Sequence, residues 1–126
     1  MLSLIQQCFL FCGAAFGFLG VGAGAFGAHA LKQRLSSDFL SIFEVGVRYQ
    51  MYHALALVLT VWLISVTQGV WSTYAGYFFI VGTIIFSGSL YMLVFTGVKM
   101  WGAVTPIGGI LLLLGWLFLA IAAFAK

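Results

Sequence analysis

Residues 11–30, FCGAAFGFLGVGAGAFGAHA, place a glycine at every third or fourth position of an apolar run. On a helix this spacing puts all of these glycines on one face. Such a face carries no side chains, so a second helix can approach its backbone closely in a membrane. The run therefore predicts a helix that packs tightly against a neighbour, and the stripe consists of Gly13, Gly17, Gly20, Gly24 and Gly27.

The composition of the whole chain is that of an integral membrane protein. Of its 126 residues, 64% are hydrophobic and only 6% are charged, whereas soluble domains carry about 25% charged residues. The net charge of +3 comes from five basic and two acidic side chains. That is too few for a nucleic-acid footprint, so we expect membrane lipids as surroundings and no nucleic-acid partner.

Four apolar segments predict one membrane domain over residues 1–126, an all-α bundle of four transmembrane helices. Each segment is close to the ~20 residues that cross a bilayer. No Lys or Arg precedes the first segment, so we expect a retained span and not a signal peptide. Thr105 and Pro106 fit the N-cap and first residue of the last helix. The predicted spans are residues 4–28, 49–66, 74–96 and 106–125.

The stretch between the first two spans predicts additional helix over residues 36–47. Its Ser and Asp residues are good caps, and its apolar side suits the membrane surface. We expect a short cytoplasmic interfacial helix before the second span, although the same pattern also fits a helix that runs straight into that span.

The basic residues predict the orientation of the chain. Lys32, Arg34, Arg48 and Lys99 fall in two connections separated by an even number of crossings, and only Lys126 falls on the other side. The positive-inside rule then predicts cytoplasmic connections and both termini outside the cytoplasm.

Polar residues concentrate at the cytoplasmic ends of the first two spans. Glu44 and Arg48 form an i, i+4 pair, which fits either an interfacial ion pair or an anionic headgroup site with Arg48 as donor. If the first two helices are antiparallel neighbours, His29 and His53 can approach each other. They then make structural hydrogen bonds or, as the sharper alternative, ligate haem iron or half of a metal site. The binding hypothesis comprises His29, Glu44, Arg48, Tyr52 and His53.

Other reactive residue types are best explained by packing. Ser87, Gly88 and Ser89 interrupt the third span with small residues suited to close contact, and no base or acid stands near them in sequence. Cys8 and Cys12 lie one helical turn apart, where a disulfide is geometrically poor, so they act as small hydrophobes. We therefore predict no catalytic residue, no metal site and no enzyme.

Four runs of sequence stand out as a set: GAFGAHALK (24–32), FEVGVRYQMYHALA (43–56), FSGSLY (86–91) and TPIGG (105–109). Together they resemble the YgdD/YwdK family of small bacterial inner-membrane proteins, domain-of-unknown-function family 423. The family pattern usually has Thr where this chain has Val45. The resemblance implies four spans and an inner (plasma) membrane location, and it implies no activity.

The sequence leaves three classes of function open. The first is a non-enzymatic protein that acts through helix assembly, as a homo-oligomer, as an accessory of a membrane complex or in membrane integrity. The second is a protein that binds a lipid headgroup, a quinone or haem at the cytoplasmic ends of spans one and two. The third is a small transporter or channel, which the absence of acidic residues from the four spans disfavours. The glycine stripe is expected to meet the second helix of the same chain.

Overall fold

The computed structural model describes residues 1–125, which form four consecutive helices joined by short connections. Each helix is long and apolar enough to cross a membrane, so the all-α, four-span fold is confirmed. Lys126, the one basic residue assigned to the outer side, lies outside the described residues. The helices are α1 (Leu4–Leu31), α2 (Ser37–Val66), α3 (Trp71–Thr96) and α4 (Trp101–Ala122).

Helix α1 begins with a capping box, and its hydrogen-bond pattern changes from α-helical to π-helical near its end. The Ser3 hydroxyl accepts from the Gln6 backbone N–H, and the Gln6 side chain accepts from the Ser3 N–H at 2.9 Å. Residues Gly22–Gly27 form a π-helix, in which the Ala28 N–H donates to the Ala23 carbonyl. Such wide turns are rare and frequently mark functional sites. The last turn of α1 is α-helical again, from Ala28 to Leu31.

Helix α2 is one continuous helix that starts well before the second predicted span. Its N-cap is Ser36, whose hydroxyl accepts from the Phe39 N–H at 3.2 Å. The stretch expected as a separate interfacial helix is therefore the first part of α2, because no residue there breaks the helix. With 30 residues, α2 is about 45 Å long and exceeds the ~30 Å hydrocarbon core.

Helix α4 begins five residues earlier than the sequence predicts. Trp101 is its first residue, and Pro106 lies inside the helix. Thr105 is not an N-cap, because its hydroxyl instead shares a 2.6 Å hydrogen bond with Ser89 of α3. Pro106 has no N–H to donate to the Gly102 carbonyl one turn earlier. The helix must also accommodate the proline ring at that turn.

The glycine stripe of α1 packs against α2 of the same chain. A Cβ atom at Gly13 would lie 3.0 Å from the Ala54 carbonyl oxygen, and one at Gly24 would lie 3.0 Å from Val47. The stripe is thus filled by side chains and backbone of α2 along most of its length. In order from Gly13 to Gly27, the α2 residues facing it are Val58, Leu57, Ala54, Met51, Gln50, Val47 and Phe43.

Helices α2 and α3 form the centre of the molecule, with α1 against α2 and α4 against α3. Small residues again allow close approach, since a Cβ at Gly108 of α4 would lie 2.7 Å from the Phe86 Cα of α3. The core between the helices is apolar and consists of Phe9, Ala56, Leu57, Val61, Ala75, Phe79 and Leu112.

Of the three small residues in the middle of α3, two form hydrogen bonds to neighbouring helices and the third does not. The Ser87 hydroxyl donates to the Gly46 carbonyl of α2 at 2.6 Å, and Ser89 bonds Thr105 of α4. Gly88 has no neighbouring atom within 4 Å of its would-be Cβ. The packing role predicted for Gly88 is therefore not observed, because it lies between the two contact faces of α3.

Candidate functional site

A cavity of about 430 Å³ lies between α2, α3 and α4 on the side of the molecule away from α1. We call it the His53 cavity, after the buried histidine in its wall. Exposed side chains, among them Ile110 and Leu113, stand at its rim, so it opens toward the lipid-facing surface. Its lining residues are Tyr49, His53, Phe86, Pro106, Gly109, Ile110, Leu112, Leu113 and Trp116.

His53 is buried to 4% exposure and both of its ring nitrogens are engaged. Its Nδ1 lies 2.7 Å from the Tyr49 carbonyl oxygen, and its Nε2 lies 3.0 Å from the Trp116 indole nitrogen. A carbonyl only accepts and an indole N–H only donates. The contacts therefore select a neutral imidazole that carries its proton on Nδ1 and accepts at Nε2.

Aromatic rings form most of the cavity wall. The Tyr49 and Phe86 rings lie 4.8 Å apart between centroids, and the His53 and Trp116 rings lie 5.9 Å apart. Behind them Phe79 packs against both His53 and Trp116. Aromatic faces at these distances interact through offset and edge-to-face contacts, which also suit a further flat ring.

The wall of the His53 cavity carries no carboxylate, ammonium or guanidinium group. The polar groups among its lining side chains are the neutral imidazole of His53, the indole N–H of Trp116 and the hydroxyl of Tyr49, and the first two are already hydrogen-bonded to each other. In surroundings this apolar, a charged ligand would be desolvated without a partner. The chemistry of the wall therefore suits a neutral, lipophilic molecule with one or two hydrogen-bonding groups.

Comparison with known proteins places this chain in a family. A family model described as "Protein of unknown function (DUF423)" matches residues 23–109. The chain belongs to the DUF423 family. It is 47% identical over 119 residues to a UPF0382 membrane protein of Staphylococcus aureus, covering 94% of this chain and 97% of that protein. It is 40% identical, with the same coverage, to the UPF0382 membrane protein YwdK of Bacillus subtilis.

The family membership confirms the resemblance drawn from the sequence motifs. DUF423 is a family of uncharacterised membrane proteins, and its description names no enzymatic activity. The relatives and the four apolar helices together establish a multi-pass membrane protein. No solved structure matches the chain.

The five residues proposed as one binding cluster do not come together in this DUF423 protein. Glu44, Arg48 and Tyr52 are exposed and follow one another along the outward face of α2, while His53 points into the molecule. Neither Glu44 nor Arg48 forms an ion pair in the described part of the chain. The reason is helical geometry, since His53 is rotated well away from the face that carries Arg48.

His29 and His53 are too far apart to ligate one iron or metal ion. His29 lies two residues beyond Gly27, which faces Phe43, and Phe43 precedes His53 by ten residues on α2. At 1.5 Å per residue, the two histidines are separated by roughly 15 Å along the helix axis. His29 is exposed near the end of α1, so the expected pairing of the two imidazoles is not formed.

His53 is the one lining residue of the cavity that the sequence predicts as a site residue, and the three other aromatic lining residues are missed. Tyr49 and Phe86 lie inside the family motifs, within apolar runs, and Trp116 lies in the middle of the last span. A tryptophan there is a usable signal, because Trp otherwise favours the membrane–water interface and its N–H needs a partner when buried.

Proposed function

We propose that this protein is a non-enzymatic membrane protein that binds a neutral ring-bearing lipid of the quinol or quinone class in the His53 cavity. The observation that carries the proposal is the Trp116–His53 hydrogen bond at the aromatic wall of an uncharged, lipid-facing cavity. Ligand sites of this kind are mostly apolar, with a few placed polar groups that fix orientation.

A ligand hydroxyl can take the place of the direct Trp116–His53 hydrogen bond without leaving either side chain unsatisfied. A ring hydroxyl inserted between the two side chains accepts from the Trp116 N–H and donates to the His53 Nε2. Both groups then keep one hydrogen bond each, as they have in the present structure. A carbonyl in the same position pairs with Trp116 alone and leaves His53 unpaired. The site is thus better matched to a quinol than to a quinone.

The aromatic walls favour a flat ring over an acyl chain. The wall contains two pairs of neighbouring rings, Tyr49 with Phe86 and His53 with Trp116. A planar ligand gains offset stacking in addition to the burial of its apolar area. The isoprenoid tail of such a lipid remains in the bilayer, which the open rim of the cavity allows.

Assembly through the glycine stripe is less well supported than ligand binding. The stripe faces α2 of the same chain, with a Gly13 Cβ position only 3.0 Å from the Ala54 carbonyl. Most of its length is therefore in contact with α2 and is not available to a second copy or to another membrane protein. Within residues 1–125 we find no nucleophilic side chain hydrogen-bonded to a base, which also favours a non-enzymatic role.

The proposal includes an orientation in the bacterial plasma membrane. Lys32 and Arg34 lie between α1 and α2, and Lys99 lies between α3 and α4, so the same side of the protein carries these charges. The positive-inside rule places that side in the cytoplasm and both termini outside. Labelling of single cysteines at positions 33 and 69 with a membrane-impermeant reagent tests this. Labelling of intact cells at position 33 alone contradicts it.

Ligand binding is tested by fluorescence, because Trp116 itself lies in the cavity. Purified protein in a neutral detergent is titrated anaerobically with a reduced naphthoquinol that carries one prenyl unit. We expect saturable quenching that is lost in Trp116→Phe. In Gly109→Leu the added side chain fills the cavity without a backbone clash, since the Gly109 Cβ position is 3.8 Å from the Phe86 ring. We expect its affinity to fall at least about tenfold.

Gly88→Leu is the matched control for this experiment. It makes the same substitution in a neighbouring helix, at a position with open space around its Cβ and outside the cavity wall. Its affinity is expected to equal that of the unmodified protein. Unsaturable quenching, or equal affinity for Gly109→Leu and Gly88→Leu, contradicts the proposed site.

A further inference from the structure

A second cavity, of about 470 Å³, lies between α1, α2 and α3 at the end of the molecule that carries the basic connections. We call it the inner-end cavity. It shares no lining residue with the His53 cavity, and no residue of α4 contributes to it. Its lining residues are Leu19, Ala23, Gly27, Ala30, Leu31, Phe43, Gln50, Tyr91 and Phe95.

The floor of the inner-end cavity is tied together by polar side chains from two helices. The Tyr91 hydroxyl donates to the Gln50 Oε1 at 2.7 Å, and the Gln50 Nε2 donates to the Phe16 carbonyl at 2.9 Å. Gln50 thereby links α1, α2 and α3 at one depth. The network closes the cavity at its deep end, and each of its polar groups has a partner within the protein.

The wall contributed by α1 is long, and most of its lining residues have small side chains. Between Leu19 and Leu31 the residues of α1 that line the cavity are Ala23, Gly27 and Ala30. The π-helical segment Gly22–Gly27 forms part of this wall. The cavity therefore extends roughly 15 Å along α1, from the Gln50 floor to the end of the helix. An extended apolar chain fits this shape.

The mouth of the inner-end cavity is positively charged. Lys32 directly follows the lining residue Leu31, and Arg34 follows in the same connection. Lys99 lies in the connection after α3, four residues beyond the lining residue Phe95. These three side chains are exposed, and the acidic residues near them in sequence are Asp38 in the first turn of α2 and Glu44, which follows the lining residue Phe43. The basic side chains outnumber the acidic ones. The charge at the mouth is complementary to a phosphate group.

We propose that the inner-end cavity binds an anionic phospholipid, with one acyl chain along α1 and the phosphate among Lys32, Arg34 and Lys99. The apolar wall accommodates the chain, and the charged mouth supplies the selectivity for the headgroup. The proposal does not depend on the His53 cavity, because the two cavities share no wall. It also differs from a headgroup site at Arg48, which lies on the outward face of α2.

Native mass spectrometry tests this binding with defined lipids. Delipidated protein in a neutral detergent is offered phosphatidylglycerol, phosphatidylcholine of the same chain length, or inorganic phosphate. We expect one tightly retained phosphatidylglycerol, at least about tenfold weaker retention of phosphatidylcholine, and no retained phosphate ion. Equal retention of both lipids overturns the anionic selectivity, and retention of free phosphate shows a headgroup site without a chain site.

Two substitutions separate the chain site from the charged mouth. Ala30→Phe places a ring in the cavity, and Ala25→Phe places the same ring at an exposed position of α1 outside it. Phosphatidylglycerol retention is expected to be lost in Ala30→Phe and kept in Ala25→Phe. Equal retention in both variants overturns the chain site.

The charged mouth is tested at the surface, where substitutions leave the fold intact. The triple variant Lys32→Gln, Arg34→Gln, Lys99→Gln is expected to bind phosphatidylglycerol at least about tenfold more weakly. Arg48→Gln is the matched control and is expected to bind it unchanged. A loss in Arg48→Gln equal to that in the triple variant overturns the proposed position of the phosphate. Gly109→Leu should keep this binding, so failure of the quinol site is distinguished from failure of this one.

Discussion

The His53 cavity and the inner-end cavity have walls of similar apolar character but differ in the side chains at their openings. The His53 cavity opens sideways toward lipid and meets no charged side chain. The inner-end cavity opens at the helix ends, beside Lys32 and Lys99. Because the walls of both cavities are apolar, the charged groups at the opening of each cavity decide which ligand charge it suits.

Helix α2 lies between the two cavities, and its residues line one or the other according to their direction around the helix axis. Tyr49 and His53 face the His53 cavity, while Phe43 and Gln50 face the inner-end cavity. One turn of helix thus supplies polar side chains to both sites. The flanking helices are specific to one cavity each, since α1 lines the inner-end cavity and α4 lines the His53 cavity. Disturbing one flanking helix should therefore affect one site only.

The largest effect is expected for Gly108→Leu, which separates α4 from α3. Its Cβ would lie 2.7 Å from the Phe86 Cα, and backbone cannot yield as a side chain end can. We expect a loss of stability at or above the upper end of the ~1–3 kcal/mol typical of overpacking. Unfolding of the protein in detergent, followed by circular dichroism, measures it. Quinol binding should be lost, while phosphatidylglycerol remains bound by any fraction that stays folded.

Gly109→Leu is the matched control, because the neighbouring position opens into the His53 cavity and not onto backbone. Its stability should stay within about 0.5 kcal/mol of the unmodified protein. If both variants unfold alike, the close approach of α3 and α4 at Gly108 is not the feature that holds α4.

A smaller effect is expected for Gly13→Leu, which acts on the opposite flank. The Cβ would lie 3.0 Å from the Ala54 carbonyl oxygen, so α1 must shift away from α2. We expect a destabilisation of about 1–3 kcal/mol, loss of phosphatidylglycerol retention and unchanged quinol quenching. Gly22→Leu, at a position with open space around it, is the control for the substitution itself. Loss of quinol binding in Gly13→Leu would show that the two flanks are coupled.

The sequence predicted the spans and the use of the glycine stripe better than the site. Glycine spacing and apolar length are local properties, and they correctly indicated four helices with α1 against α2. The start of α4 was placed at Pro106 because Thr-Pro is a common helix start. The structure begins that helix at Trp101, and the Thr105 hydroxyl bonds Ser89 of α3 and caps no helix end. A tertiary contact of this kind leaves no local signal.

The site residues were predicted by polarity, and polarity alone could not say which way each side chain points. Arg48 and His53 are close in sequence, yet one is exposed and the other is buried. The partner of His53 is Trp116, which is 63 residues away. Only the packing of both α2 and α4 against α3 brings them together, so the bond could not be inferred from either segment.

A moderate effect is expected for Trp116→Phe. The substitution keeps an aromatic ring but leaves the His53 Nε2 without its donor in an apolar cavity. We expect a loss of about 0.5–2 kcal/mol, because hydrogen bonds in membranes are worth little more than in water. The double variant Trp116→Phe, His53→Phe should lose less than the sum of the single changes. Additive losses in detergent unfolding would mean that the two side chains do not interact.

The smallest effect, and one of opposite sign, is expected for Thr83→Val. Thr83 is 3% exposed, and its hydroxyl has no hydrogen-bond partner within the described residues. Thr60 is also buried, but its hydroxyl donates to the Ala56 carbonyl at 2.7 Å. Thr83→Val removes a buried group that nothing satisfies, so stability should be unchanged or rise by up to about 1 kcal/mol. Thr60→Val should instead lose about 0.5–1.5 kcal/mol. Neither residue lines a ligand cavity, so both bindings should persist. A loss in Thr83→Val as large as that in Thr60→Val would show that the Thr83 hydroxyl is satisfied in the membrane.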